Sequence, residues 1–524
     1  MPVNSLHCGN KCLYFDEMSV AVSAVALSPS LVDRTGIRRD RPIANCAKFH
    51  HFRRMNSTVS LPLWLFILIL LFAAVTASTH FLFPSVRWFF RRRAERIVAE
   101  LNKRLERPIQ PFKLLRRQDM IQRVIYDPDV VRAVGTYAES HDVREDVAFQ
   151  KARHYAREIV PSFSAMAYYG VAIRLARWLA TKLFDVRLHR IDEAALRDID
   201  PDATVVFVMN HRSNFDYVLV TYLAADHSAL SYAVGEWARV WPMSRLIRAM
   251  GAYFIRRRSR GALYRKVLSS YVQKATEAGV AQAVFPEGGL SRDGLVGEPK
   301  LGILSYIVEG WRHEGRDVVF VPVSLNYDRV VEDRILVAAG RSGQRRFRAT
   351  VPEGVRFSLR YVWRRIRGQV GRFGVAAVVF GRPVSLRDIA SEEPEDTVAR
   401  LADVLFDEIR AGLPVVAMPL YFVSLITRGE PATVEEIAQD VRDMIADMPR
   451  GTIVLPDTDF PVGDVSHALD VLVLRRFVKL EGGRYSIVDR DIASYYANSL
   501  TPHIGALRSK RIHEFRSDGE AKKT

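Results

Sequence analysis

Between Val186 and Leu386, short apolar runs alternate with longer amphipathic stretches. Val205-Val-Phe-Val-Met209, Ala281-Gln-Ala-Val-Phe285 and Val318-Val-Phe-Val-Pro-Val-Ser-Leu325 are β-branched and aromatic runs of strand length. Gly374-Val-Ala-Ala-Val-Val-Phe380 is a later one, and Gly261–Ala278 and Gly302–Arg312 supply helices. This alternation predicts one α/β domain over 184–391, an ordinary size at about 200 residues. Upstream, Ile97, Val98, Leu101 and Leu105 have the spacing of an amphipathic helix. Helical patterning continues to about Leu183, broken at Pro108, Pro111, Pro128 and Pro161, so 84–183 is expected to be a helical N-terminal domain. After Glu392 the pattern predicts a mostly helical C-terminal domain over 392–524 with a disordered tail. Within it, Leu474–Ile487 reads as a helix followed by a small hairpin around Gly482-Gly483.

One run has a different scale. From Leu61 to Thr79, nineteen residues carry no charge, and the apolar character continues to Phe83. At about 1.5 Å per residue, such a helix crosses a bilayer core of roughly 30 Å. Pro84–Arg117 then carries eleven Lys/Arg against three Asp/Glu, which by the positive-inside rule keeps the large C-terminal part in the cytoplasm. Residues 55–83 are therefore expected to be a single-pass anchor in the cell membrane. A cleaved signal peptide is the rival reading, with Val75-Thr-Ala77 as its cleavage site, and the arginine cluster opposes it. Residues 1–54 hold all three cysteines, Cys8, Cys12 and Cys46, and stop before Met55-Asn-Ser-Thr-Val-Ser-Leu-Pro, which reads as a natural N-terminus. They are expected to be a non-native or disordered extension. His7-Cys8-x3-Cys12 has no fourth ligand nearby, so no metal is expected there.

The candidate chemistry begins with His211. A His-x4-Asp pattern occurs three times, at His211/Asp216, His141/Asp146 and His513/Asp518, where chance supplies roughly one copy. Context separates them. His141 lies in a charged run that reads as a solvated helix face, and His513 in a polar, basic tail. His211 follows an apolar strand, where open α/β sheets place their ligands. On one continuous helix, residues five apart lie roughly 140° around the axis and cannot meet. Ser213 and Asn214 permit a turn instead, with a helix beginning at about Phe215. Asp216 can then hold one imidazole nitrogen while the other acts as general base. The alternative is a helix-capping loop with a solvated histidine.

Phe285-Pro-Glu-Gly-Gly-Leu-Ser-Arg292 follows another strand. Its glycines let backbone N–H groups approach an anion, and Arg292 can contact phosphate in bidentate fashion. Gly251-Ala-Tyr-Phe-Ile-Arg-Arg257 ends an apolar segment in Arg256 and Arg257. Together with Asn210–Tyr217, Pro299-Lys300-Leu-Gly302 and Val321–Arg329, these segments resemble the four motif blocks of the glycerolipid acyltransferases. The match is to the membrane-bound glycerol-3-phosphate acyltransferase family, over roughly 180 to 390. Tyr495-Tyr-Ala-Asn-Ser-Leu-Thr-Pro-His503 resembles the tail of its long bacterial members. Leu290 departs from the family pattern, standing where the third block has its first arginine.

The resemblance implies a mixed sheet flanked by helices and transfer of a fatty acyl group to the sn-1 hydroxyl of glycerol-3-phosphate. The donor is a thioester, acyl-CoA or acyl carrier protein. His211 would be the base, oriented by Asp216. Arg256, Arg257, Arg292 and Lys300 would hold phosphate, and Glu287 would orient the loop, by binding an arginine in one arrangement. Gly288, Gly289 and nearby donors such as Ser291 would serve either the oxyanion or the phosphate. No cofactor and no covalent acyl-enzyme are implied, although Ser213 and Ser291 keep a covalent route open. Lysophosphatidate and dihydroxyacetone phosphate are the alternative acceptors.

The net charge of +17 invites a nucleic-acid reading, with the late helix and hairpin as a winged-helix fragment. A membrane-tethered nucleic-acid-binding or adaptor protein is therefore the non-enzyme alternative, and duplex binding at physiological salt discriminates it. The charge, however, concentrates beside the apolar run and in Arg341–Arg372, with ten arginines and one acid. Membrane lipids attract such segments, and a phosphorylated acceptor or acidic carrier protein accounts for the rest. No nucleic acid is expected.

Overall fold

The computed structural model describes residues 62–521, apart from 104, 106, 224–228, 236–242, 257–260, 342–371 and 456–461. Arg257, residues 1–54 and nearly all of the Arg341–Arg372 stretch lie outside the described residues. The chain divides into two units, Met1–Ser78 and Thr79–Thr524.

In the first unit, the described residues open the helix Leu63–Asn102, with Leu63, Trp64 and Phe72 exposed. Among the described residues no helix is long and apolar enough to cross a membrane. Side chains of the expected span are described only for Pro62–Thr76 and Ser78, about 22 Å of helix if counted continuously. The anchor over 55–83 thus stays a proposal.

The second unit is built on a mixed sheet. Its strands are β1 (Asp185–Arg190), β2 (Thr204–Met209), β3 (Ser231–Val234), β4 (Tyr253–Phe254), β5 (Gln282–Val284), β6 (Val318–Tyr327), β7 (Val375–Phe380) and β8 (Val384–Ser385). The order is β1-β7-β6-β2-β5-β3-β4, with β8 also on β6. β6, β2, β5, β3 and β4 run parallel, whereas β7 and β8 pair with β6 in the antiparallel sense. All four strand runs read from the sequence are present. β2 is central, and every residue in it is buried. Buried on both faces, it shows the continuous apolar run expected of a parallel strand.

The pleat sends alternate β2 side chains into two cores. Val206 and Val208 join Val124, Ala152, Tyr264 and Leu304, from helices before and between the strands. Val205, Phe207 and Met209 join Leu219, Phe422, Tyr496 and Ile504 on the other face. The helical region before the sheet breaks where proline predicts, since Pro111 and Pro128 each occupy a first helical position. The late hairpin is present as β9 (Val478–Glu481) and β10 (Arg484–Ile487), with Gly482 and Gly483 at positive φ in the turn.

The tail corrects the sequence reading. Gly505–Ala521 is helical, not disordered. Ile512 is buried, Phe515 packs against the core, and the Arg490 guanidinium lies 4.0 Å from the Phe515 ring centre. Two well-placed apolar residues order a segment whose composition is otherwise polar.

Candidate active site

Strands running in one direction place their following loops on one edge. The loops after β2, β5 and β4 and the end of β6 therefore share the C-terminal edge of the parallel strands. Asn210, directly after β2, fastens its loop to β6. Its amide donates to the Leu325 carbonyl (2.9 Å) and accepts from the Leu325 N–H (2.7 Å).

The chain then turns as Ser213 and Asn214 predict. The Phe215 N–H donates to Ser213 Oγ (3.1 Å), and the Asp216 N–H to the Ser213 carbonyl (3.0 Å). The helix Asp216–Leu223 follows. This turn brings His211 Nδ1 to 2.9 Å from Asp216 Oδ2, with both side chains at most 1% exposed. The same oxygen accepts the N–H groups of Arg212 (2.8 Å) and Ser213 (3.0 Å), while Oδ1 accepts the Tyr327 hydroxyl (2.5 Å). Phe285 stacks on the imidazole at 4.2 Å between ring centres, and Tyr217 meets it edge-on at 5.5 Å. Nε2 makes no hydrogen bond among the described residues. The ring is thus fixed in orientation and tautomer, with one nitrogen left for chemistry.

Glu287 supports this loop through the backbone, not through an arginine. Its Oε1 accepts the His211 N–H (2.7 Å) and Oε2 the Gly297 N–H (3.0 Å). Burial raises the Glu287 carboxyl to about 7, and these N–H groups and the Arg212 charge oppose the rise. Lys300 donates to the Glu287 carbonyl (2.7 Å) and lies over Gly288, whose φ of +67° suits glycine. Ser291 is a loop brace. Its N–H donates to the His211 carbonyl (2.9 Å) and its hydroxyl to the Leu295 carbonyl (2.8 Å). Ser213 donates to Glu332 Oε2 (2.9 Å). Neither serine hydroxyl is hydrogen-bonded to the His211 imidazole among the described residues.

The arginines separate. Arg256 forms a two-point pair with Glu158, through Nε at 2.7 Å and Nη2 at 2.5 Å, between the rings of Tyr155 and Tyr264. It follows β4, three strand spacings from β2, or about 14 Å across the sheet. Arg292 is exposed, and its guanidinium has no partner among the described residues. Leu290 packs against the core. Gly289 lies in the same turn as Gly288. The decoy histidines stay apart from this chemistry. His141 stacks on Tyr137 at 3.9 Å, while Asp146 pairs with Arg144 at 2.9 Å. His513 is exposed on the terminal helix.

Sequence reasoning passed over four contributors: Asn210, Arg212, Tyr327 and Glu332. Tyr327 lies within the Val321–Arg329 block, where the sequence assigns it no role. Among the described residues, no group of His, Cys, Asp and Glu is arranged to hold a metal ion.

Known proteins are similar to this chain in sequence. Residues 189–326 match the model of the Acyltransferase family. The glycerol-3-phosphate acyltransferase of Pseudomonas entomophila (strain L48) is 26% identical over 445 residues, covering 79% of this chain and 52% of that protein. The glycerol-3-phosphate acyltransferase of Xanthomonas campestris pv. campestris is 27% identical over 442 residues, covering 78% and 48%. The chain spans about half the length of these curated relatives. The solved 1-acyl-sn-glycerophosphate acyltransferase of Thermotoga maritima is 21% identical, over 47% of this chain and 78% of that one, with a TM-score of 0.28. That structural likeness is too slight to bear weight. Residues 189–326 thus form an acyltransferase domain, in a chain related over most of its length to the glycerol-3-phosphate acyltransferases.

Proposed function

We propose that this protein transfers a fatty acyl group from an acyl thioester, acyl-CoA or acyl carrier protein, to the sn-1 hydroxyl of glycerol-3-phosphate. One observation carries the reading: the buried His211–Asp216 pair at 2.9 Å, with no hydrogen bond to Nε2 among the described residues. In this mechanism Nε2 takes the hydroxyl proton as the acceptor oxygen attacks the thioester carbonyl. Asp216 stabilises the imidazolium that forms, and the proton then passes to the departing thiolate. Both substrates react in one complex, and no serine ester intervenes. Arg292, exposed and with no side-chain partner among the described residues, is the described cation best suited to the acceptor phosphate. Arg256 is committed to Glu158 and Lys300 to the Glu287 carbonyl, so both have supporting roles. The apolar run at Leu61–Thr79 is proposed as a single-pass anchor in the cell membrane, with the catalytic part on the cytoplasmic side.

The test offers labelled acyl thioester with glycerol-3-phosphate, dihydroxyacetone phosphate and lysophosphatidate in parallel. Preferential acylation of glycerol-3-phosphate is expected. Preference for lysophosphatidate would assign the second acylation instead, and no transfer to any of the three would overturn the reading.

A further inference from the structure

The charged residue beside the base has an unusual setting. Arg212 is 1% exposed, yet it faces no carboxylate in an ion pair among the described residues. Its Nη1 donates to the Gly294 carbonyl in the loop after β5, and its guanidinium carbon lies 5.2 Å from the centre of the Tyr495 ring. Nε and Nη2 are buried without a hydrogen-bond partner. Burying a guanidinium with two idle donors is costly and needs a compensating role.

The surroundings supply one. Asp216, Glu287 and Glu332 gather around the His211 loop, while Asp333 is paired with Arg475 at 2.8 Å. Tyr327 and Tyr495 sense the Arg212 charge, as does Glu287, and Tyr496 binds Asp333 at 2.7 Å. The Lys300 ammonium is directed to the Glu287 carbonyl. Arg212 therefore places a positive charge among the carboxylates of the His211 loop, next to Glu287. Its anchor is remote in sequence: Tyr495 begins the Tyr-Tyr-Ala-Asn segment, on the helix Arg490–Ala497. That segment closes on the same loop a second time, as Asn498 Nδ2 donates to the Asp293 carbonyl at 2.7 Å.

We infer that Arg212 is a positioning residue for acyl transfer, clamped between Gly294 and the face of Tyr495, through which the C-terminal segment holds the His211–Asp216 loop. This rests on the acyltransferase reading and gives the C-terminal region a part in that site. A residue that binds the acceptor phosphate would act differently, because its loss would raise one substrate's KM.

The test uses the full chain with Arg212→Met, Arg212→Lys, Tyr495→Leu and Tyr495→Phe. Arg212→Met should lower kcat about ten- to hundredfold, with either KM moving less than about threefold. It should also move the acid limb of the kcat/KM profile to higher pH, because losing a nearby cation makes Glu287, which holds the His211 N–H, harder to ionise. Arg212→Lys keeps the charge and should return the limb towards its original position without restoring full kcat. Tyr495→Phe, which keeps the ring face, should retain activity that Tyr495→Leu loses. A denaturation cycle pairing Arg212→Met with Tyr495→Leu reads the clamp without turnover, and the two changes should be non-additive. An unmoved acid limb, additive stabilities, or a selective rise in the acceptor KM would each overturn the inference. Absence of transfer by the unaltered protein would fail the activity reading, while the denaturation cycle would still judge the clamp.

Discussion

Four donors converge on the Asp216 carboxylate: the His211 ring, the amides of Arg212 and Ser213, and the Tyr327 hydroxyl. Asp216→Asn fits this arrangement with little disturbance, because its NH₂ can face the Tyr327 oxygen, which is able to accept. The charge is lost, and the Tyr327 O–H gives up its acceptor on residue 216. The expected result is a kcat lower by about a hundredfold or more with little change in KM, since the lost stabilisation grows as the imidazolium forms. A change confined to KM would contradict the role given to Asp216. Arg292 should behave in the opposite way. Arg292→Ala is expected to raise the acceptor KM about ten- to hundredfold and leave the donor KM nearly unmoved, as for loss of a ground-state phosphate contact. Equal weakening of both substrates would contradict that assignment.

At the scale of elements, the loop after β5 and the helix Arg490–Ala497 touch so closely that glycine is required between them. Gly294 has φ of +88°, and a Cβ there would lie 1.8 Å from the Tyr495 carbonyl oxygen. Gly294→Ala should therefore cost more than about 2 kcal/mol and lower activity, read by denaturant unfolding alongside turnover. A variant of wild-type stability and rate would mean that the loop and helix do not meet in this way. The strands, the turn at Ser213-Asn214 and the hairpin at Gly482-Gly483 were legible in the sequence because local pattern and turn chemistry determine them. The partnerships were less so. Arg256 reads as a phosphate ligand until Glu158, 98 residues away, is seen to hold it. Tyr327 has no role within its motif block until its hydroxyl is seen to reach Asp216, 111 residues away. Arg212 sits in a polar loop, where a charged residue reads as solvated. In the terminal helix, the basic composition outweighs the two apolar residues that dock it.

For the molecule as a whole, Lys113 leaves a thermodynamic signature far from the chemistry. It is 7% exposed, donates to the Ala229 carbonyl at 2.7 Å, and lies between the rings of Phe163 and Tyr168. Burial lowers its ammonium to about 7. The folded state thus releases this proton above about 7, whereas the unfolded chain holds it to about 10.5. The penalty is complete below pH 7 and is relieved as pH rises through that window. Relative to the natural protein, Lys113→Met should be more stable at pH 7 by an amount that shrinks towards pH 10, a change of a few kcal/mol in order of magnitude. A pH-independent difference would show that the buried ammonium does not titrate in this range.

The measurement closest to the central claim is acyl transfer from a labelled thioester to glycerol-3-phosphate by His211→Ala, beside His141→Ala and His513→Ala. Each replaced histidine stands five residues before an aspartate, and His211 is the one that its aspartate holds in a buried turn among the described residues. Loss of transfer in His211→Ala alone, with all three proteins folded, is the predicted result. Retained transfer in His211→Ala, or its loss in either of the other two, would contradict the account.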